Sequence, residues 1–600
     1  MPTNETKPPM GATVGENGTD FRVWAPHATA VSVVGSFNDW KPEAHPMERD
    51  DQGCWHRLVA EAKAGDEYRF LLKTPQGDLS RIDPYARDVT SSVGNGVVVD
   101  PAFHWKGDDF KLETWNRLVI YELHIGTFGE TAGDDEFRPA DFKSAARKLS
   151  HLKKLGVTAV EIMPVAEFAG DVSWGYNPAH IFAVESAYGG PAAFKTFIRE
   201  CHRLGMAVIL DVVYNHFGPS DIDLWRFDGW SENDGGGIYF YNDWKAETPW
   251  GATRPDYGRA EVRRFIVDNA LFWLEEYHLD GLRLDMSVYI RTVKGPGGED
   301  LPEGFSLLQE LNRQVQERFP GRITIAEDLQ DNEWLTKDVG AGGAGFGSQW
   351  DARFVHPIRA AVTNPTDEGR SMSAVAAAIA IRDNDDACNR VIYSESHDEV
   401  ANGKARVPYE INQEDPKGWH AQKRSTLAAA LIFTAPGLPM LFQGQEFLEG
   451  EWFRDTVPVD WDSSDEFRGI VRLYRDLIAL RLDHKGTTGG LCGQHVQILH
   501  VNETDKVISF RRWEQGGPGD DVVVIANFSH EAVVEYNLGF PAAGRWQVRF
   551  DSDWSGYGEN FEGRRGESVL ATEGEYDGMP CQAKVSIAAY SAVILSQDPA

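Results

Sequence analysis

The chain has 600 residues, 42% hydrophobic, 25% charged and 11% aromatic; that length exceeds one ordinary core, so two to four domains are expected. Its 59 basic and 92 acidic residues give a formal charge of −33. That balance excludes a phosphate-backbone partner and an anionic membrane surface, both of which need a basic face, and leaves room for an uncharged polymer such as a polysaccharide.

The first stretch, "MPTNETKPPMGATVGENG", is polar and lacks the apolar core of a secretory signal. No apolar run is long enough to span a bilayer. The five cysteines (Cys54, Cys201, Cys388, Cys492 and Cys581) are odd in number and scattered, with no CxxC spacing. They read as free thiols in a reducing cytoplasm.

From residue 20 to 100, "FRVWAP", "AVSVVGSF", "CWHRLVAEA" and "EYRFLLKT" alternate apolar and polar positions between turn-forming stretches. That pattern predicts a small β-sandwich over residues 1–105. "RIDPYAR" leads into a polar linker near residues 103–113. The rhythm then changes. "LVIYELHIG" is a strand, "ADFKSAARKLSHLKKLG" a helix ending at glycine, and "VTAVEIMPV" a strand again. Helices "GPAAFKTFIRECHRLG", "RAEVRRFIVDNALFWLEEYH", "SLLQELNRQVQERFPG" and "RSTLAAALIFTAPG" alternate with strands "MAVILDVVYNH", "LDGLRLD", "RITIAED", "VIYSESHD" and "LPMLFQGQE". Near-continuous apolar strands alternating with helices mark a parallel sheet covered by helices. About seven or eight such units fit a (β/α)8 barrel over residues 106–487. A doubly wound sheet is the alternative, but no glycine-rich phosphate loop follows the first strand. "HVQILHVN", "KVISFRRWE", "DVVVIANFS", "RWQVRFDSD" and "AKVSIAAYSAVILSQ" then predict an antiparallel sandwich over residues 488–600.

In such a barrel the chemistry lies at the C-terminal ends of the strands. "ILDVVYNH" brings Asp211, Asn215 and His216; "GLRLD" brings Arg283 and Asp285; "TIAED" brings Glu327 and Asp328; "YSESHD" brings His397 and Asp398. One acid at a strand end reads as a cap of the following helix. Four in succession do not, because converging carboxylates repel and shift one another's pKa. Glycosyl transfer uses such a cluster. A retaining mechanism needs a carboxylate to attack the anomeric carbon and, about 5–5.5 Å away, a protonated carboxyl to protonate the leaving oxygen. Asp285 suits the nucleophile, since Arg283 shares its strand face and favours its ionised form. Glu327 suits the acid/base, with neighbouring carboxylates raising its pKa. Asp398 is left to hold sugar hydroxyls and stabilise transition-state charge, and His216 and His397 are placed to bond sugar hydroxyls. Metal binding competes, but no HxxxH pair or cysteine cluster is present. A structural Ca²⁺ held by Asn215 and nearby acids stays open.

"DVVYNH", "GLRLD", "IAED" and "SHDE", in that order, resemble the signature segments of the α-amylase family of glycoside hydrolases. The resemblance implies a (β/α)8 barrel, a retaining mechanism, α-1,4-glucan substrates such as glycogen, starch or maltooligosaccharides, and no cofactor. It implies Asp285 as nucleophile, Glu327 as acid/base and Asp398 as stabiliser. Arg283, Asp211, His216 and His397 would line the sugar subsite. In "SWGYNPAH", Tyr176 would be its aromatic platform, with Trp174 beside it. "FRVWAPHATAVSVVGSFNDW" is similar to the carbohydrate-binding module that precedes branching and debranching enzymes. "YSESHDEVANGK" and "LFQGQEFLEGEWF" are most similar to glycogen branching enzymes, which cut an α-1,4 chain and pass it to a 6-hydroxyl. "IAEDLQDNEW" is equally similar to maltooligosyltrehalose trehalohydrolases. Asp328 and Asn177 depart from the usual bacterial branching pattern. Hydrolase against transferase therefore stays open, as does oligomeric state, and a non-catalytic glucan-binding protein is the remote alternative because all three acids are present.

Overall fold

The computed structural model describes residues 9–112, 114–130, 137–563 and 566–599. The first eight residues of the polar N-terminal stretch and residue 113 of the expected linker lie outside them.

The N-terminal region is two facing sheets. Gly11–Gly15, Gly18–Trp24, Cys54–Val59 and Glu48–Arg49 form one. Ala30–Gly35, Glu67–Thr74 and Gly77–Arg81 form the other, with Gly96–Val97 paired to Glu67–Thr74. The alternation in the sequence is the alternation of burial. In Glu67–Thr74, Tyr68, Phe70 and Leu72 point into the core while their neighbours face outward.

Eight parallel strands then close into a barrel in sequential order. They are β1 Ile120–Leu123, β2 Ala159–Ile162, β3 Ala207–Val212, β4 Gly281–Leu284, β5 Ile323–Ala326, β6 Ser348–Trp350, β7 Arg390–Ile392 and β8 Leu438–Phe442. Seven match the apolar runs of the sequence. The eighth, β6, is the three-residue "SQW", too short and polar to stand out. Pairing with β5 and β7 makes it a strand. The helix expected over 140–156 is two, Phe142–Ala146 and Leu149–Leu155, broken at Arg147 and Lys148.

Period-two alternation sorts the barrel interior into layers. Ile120, Ala159 and Ile209 join the apolar cluster at its N-terminal end. Two residues on, Glu122, Glu161 and Asp211 extend the same inward faces toward the C-terminal end. The apolar floor excludes water below a polar upper layer.

The segment expected as a polar linker is docked instead. Trp105 stacks on His278 at 4.0 Å and Phe110 on His202 at 4.7 Å. Asp108 pairs with His202 at 2.7 Å and His278 at 2.9 Å. Phe110 and Leu112 pack against the interior cluster and close the barrel's N-terminal end.

The C-terminal region has eight strands where five were legible. "AKVSIAAYSAVILSQ" falls in two strands, Met579–Ile587 and Ser591–Ser596, with Tyr590 between them at φ 47°. Val533–Phe540 and Ser568–Tyr576 are additional. Ser568–Tyr576 pairs with Gly544–Asp551 through its first half and Met579–Ile587 through its second, linking two layers around Trp546, Phe540 and Val523. A buried ion pair, Lys423 to Asp553 at 2.5 Å, ties this sandwich to the barrel helix Trp419–Thr434. No helix among the described residues is long and apolar enough to cross a membrane.

Candidate active site

Arg283 of β4 is the hub of the barrel mouth. It is fully buried, and its guanidinium lies 4.3 Å from the ring centroid of Trp350 on β6. Nη1 donates to Asp211 Oδ2 at 2.5 Å and to Asp285 Oδ1 at 3.1 Å. Nη2 lies 2.7 Å from Glu327 Oε2. One planar cation therefore gathers carboxyls from three adjacent strands, a task suited to a rigid five-donor fork.

Asp285 takes a second donor, Asn215 Nδ2, at 2.7 Å, and Asn215 Nδ2 also lies 2.9 Å from the Asp285 carbonyl. The Asn215 Oδ1 meets the ring of His216. Both ends of the Asn215 amide are used within the protein. Among the described residues, no group of three or more His, Cys, Asp or Glu side chains is arranged to hold a metal ion. The other His216 nitrogen meets the Tyr176 carbonyl at 2.9 Å, and the ring stacks on Trp250 at 4.5 Å and 12°. Both His216 nitrogens face protein oxygens, and the neutral ring donates to one of them.

Met286, directly after Asp285, is left-handed with φ 38° and ψ 52°. This turn aims its N–H at Glu327 Oε2, 2.8 Å away. Non-glycine residues held in this region store local strain of the kind found at functional sites. The two acids of "AED" part company: Glu327 joins Arg283, while Asp328 forms a two-pronged pair with Arg291 at 2.7 Å.

On the opposite wall, the Tyr176 hydroxyl donates to Asp211 Oδ2 at 2.5 Å, and its ring stacks on His397 at 4.9 Å and 22°. Trp174 meets His397 edge-on at 5.9 Å. Glu122 of β1 holds His397 twice, Oε1 facing Nδ1 at 2.5 Å and Oε2 accepting its backbone N–H at 3.1 Å. Asp398 is the most open of the acids, with 44% of its side chain exposed and Oδ1 3.9 Å from His397 Nε2. Its loop is braced from within. Asn402 donates to Asp398 at 3.3 Å, Lys404 pairs with Glu399 at 3.0 Å, and Glu395 takes Arg406 at 3.1 Å and the Val407 N–H at 2.7 Å. The "SESHDEVANGK" run is thus largely a loop-building device around one exposed carboxylate.

Burial raises Asp285 to about 6; Arg283 pulls it down and Asp211 pushes it up. Burial likewise raises Glu327 to about 8, against Arg283 and with help from Asp285 and Asp398. Two sequence expectations are amended here. Arg283 does favour the ionised Asp285, but desolvation outweighs it. The rise of Glu327 comes first from burial and only then from neighbouring carboxylates. Asp211 is raised to about 6 by burial, partly countered by Arg283. His397 goes the other way: burial opposes its charge, yet Glu122 lifts it to about 9. His216 and His124, buried with no such carboxylate partner, fall to about 4. Near neutral pH the site therefore offers an ionised Asp285, a protonated Glu327 and a cationic His397, the separation that acid–base chemistry on a single bond requires.

Sequence reasoning missed Glu122 and Glu161, because it looked only at strand ends. Both stand inside strands, at inward positions of "IYEL" and "AVEI". Glu161 is buried, and burial followed by Glu122 pushes its carboxyl well above the usual range. A charged type in an apolar run was the available signal.

Residues 126–225 and 222–468 match the family model described as the α-amylase catalytic domain, which is more than half of the chain. The chain belongs to the α-amylase family. Residues 9–86 match carbohydrate-binding module 48, the isoamylase N-terminal domain, and residues 498–598 match the α-amylase C-terminal all-β domain. Among relatives of this α-amylase-family chain, the 1,4-alpha-glucan branching enzyme GlgB of Rhodospirillum rubrum is 32% identical, covering 93% of this chain and 77% of that protein. The enzyme of the same name from Dechloromonas aromatica is 31% identical, over 98% and 97%. Among solved structures, an Anoxybacillus pullulanase complexed with maltotetraose superposes with TM-score 0.76 at 24% identity, covering 98% of this chain and 87% of that one. A putative α-amylase from Salmonella typhimurium gives TM-score 0.74 at 23% identity, covering 98% and 99%. These structural likenesses concern the fold.

Proposed function

We propose that the chain is a 1,4-α-glucan branching enzyme acting by a retaining, double-displacement mechanism. The observation that carries the mechanism is the sharing of one guanidinium by Asp285 and Glu327; burial raises both carboxyls, Glu327 further than Asp285. Asp285 attacks the anomeric carbon while Glu327 protonates the departing glycosidic oxygen. The glycosyl–Asp285 ester then waits for an acceptor. Glu327, now ionised, takes the proton from a 6-hydroxyl of another glucan chain, and that oxygen displaces Asp285 to leave an α-1,6 linkage. Tyr176 and His397 form the floor and wall for the sugar, Trp174 extends that wall, and Arg283 with Asp211 fixes the nucleophile's orientation. Asp398, open to the mouth, suits sugar hydroxyls and the positive charge of the transition state. Asn215 and His216 act as positioning residues for Asp285.

The transfer outcome rests on the "SESHDEVANGK" loop and on the branching-enzyme names of the relatives; the shared site chemistry serves water and sugar hydroxyl alike. We assign the substrate to α-glucans and the compartment to a reducing cytoplasm, in keeping with five free cysteines. Incubation with amylose is expected to lower iodine colour without a matching rise in reducing ends, after which isoamylase releases short chains. Reducing ends rising in step with colour loss point to a hydrolase, and trehalose released from maltooligosyltrehalose points to a trehalohydrolase.

A further inference from the structure

We propose that Arg291, acting through Asp328, is a positioning residue for the acid/base Glu327, holding that carboxyl so that its proton sits on Oε1 and faces the glycosidic oxygen. The inference rests on the retaining reading above.

The short helix Ser287–Arg291 follows β4 after Asp285 and Met286, and its residues reach across to the end of β5. Ser287 and Arg291 are four apart, so both side chains lie on one face of the turn. The Ser287 N–H donates to the Glu327 carbonyl at 2.7 Å, and its hydroxyl donates to the same oxygen at 2.9 Å. Arg291 closes the far side: Nε donates to Asp328 Oδ2 and Nη2 to Oδ1, both at 2.7 Å. The Asp328 side chain is fully enclosed. The Glu327 N–H in turn donates to the Leu284 carbonyl at 3.1 Å. All of these partners lie between Leu284 and Arg291, the stretch that contains Asp285. Nucleophile and acid/base therefore share one frame. A buried ion pair is weak evidence for stability, but a two-pronged one fixes orientation.

The frame decides which carboxyl oxygen is free. Glu327 Oε2 accepts the Met286 N–H at 2.8 Å and lies 2.7 Å from Arg283 Nη2. A donor and a cation at Oε2 make it the bare oxygen of the neutral carboxyl. Among the described residues Oε1 has no protein partner, and it is not one of the sealed unsatisfied atoms, so it is left open to carry the proton. In the first displacement that proton passes to the glycosidic oxygen as its bond to C1 breaks and Asp285 bonds C1, leaving Glu327 a carboxylate. Met286 can face Oε2 only while the β4 loop and the β5 end keep their spacing, and the Arg291–Asp328 pair sets that spacing.

The test compares two leaving groups through kcat/KM, which reports the first displacement. Amylose needs a proton on its departing oxygen, whereas the fluoride of α-maltohexaosyl fluoride leaves without one. Arg291→Met/Asp328→Asn removes both charges together and leaves neither buried alone. In this variant kcat/KM on amylose is expected to fall by about tenfold to a hundredfold, the effect of displacing a catalytic group by about 1 Å. On the fluoride it is expected to stay within about twofold. Arg291→Lys keeps the charge but loses the fork, and is expected to show a smaller loss of the same kind; it carries the test if the double variant does not fold. Equal losses on both substrates, or no loss on amylose, overturn the positioning role and leave the retaining reading intact. A parent enzyme that releases no fluoride overturns the glycosyl–Asp285 reading itself.

Discussion

Replacing Glu122 by Gln tests the electrostatic frame of the site at a buried residue inside the barrel. Gln keeps an oxygen to accept the His397 backbone N–H, now at 3.1 Å from the carboxylate, but removes the charge facing the imidazole. His397 stands at about 9 against an ordinary 6.5, with burial opposing the rise and Glu122 causing it. At about 1.4 kcal/mol per pKa unit, that difference amounts to about 3 kcal/mol favouring the charged ring. The folded-state pKa is raised, so this stabilisation is fully present below pH 6.5 and is lost as pH rises through about 9. Glu122→Gln is therefore expected to be less stable than the parent by about 3 kcal/mol at pH 6, with the gap nearly closed at pH 9.5. Urea unfolding at the two pH values measures it. Imidazole NMR should place His397 near 9 in the parent and below 6.5 in the variant, since His124, equally buried beside no carboxylate, lies at about 4. Equal stability loss at both pH values, or a parent His397 titrating below 7, refutes the reasoning.

Asp285→Asn is expected to lose activity by a factor of about 10⁴ or more while the melting temperature holds or rises, because a desolvated buried charge is removed; retained turnover on amylose would remove Asp285 from the nucleophile's role. The pH profile of kcat/KM should be a bell with limbs near 6, where Asp285 ionises, and near 8, where Glu327 loses its proton; an optimum below 5 contradicts those assignments. Arg283→Met leaves Asp211, Asp285 and Glu327 without their common cation and should cost about 3–5 kcal/mol in chemical denaturation near neutral pH, with less loss at pH 5, where the acids are protonated. Lys423→Met strips Asp553 of its buried partner and should cost a similar amount, about 3–5 kcal/mol, without changing the pH profile of activity; a loss under 1 kcal/mol would mean the sandwich is not anchored there.

Much of the fold was legible because short buried strands and their helices carry local signals. "AVILDV" and "LPMLF" are apolar on both faces, as strands inside a parallel barrel must be. The C-terminal strands Val533–Phe540 and Ser568–Tyr576 were not: the first buries three consecutive residues at its end and the second is largely exposed, so neither shows a clean alternation. The site was half legible. Strand-end acids could be enumerated, but Asp328 could not be separated from Glu327, nor His216 recognised as a support for Asn215, until their partners on other elements were known.

Composition and order alone determined that this chain is acidic, multi-domain and barrel-centred, and that acids stand at four strand ends. Those properties are local: alternation follows from backbone geometry, and residues at the C-terminal ends of parallel strands share one face of a barrel. Only the tertiary structure decided that "SQW" completes the ring, that Glu122 rather than a neighbouring strand end charges His397, and that burial rather than neighbouring charge is the main cause raising Asp285 and Glu327. Those depend on closure. Pairing across the ring sets which side chains meet around Arg283, and burial in a water-excluding barrel, more than the count of charges, moves their pKa values.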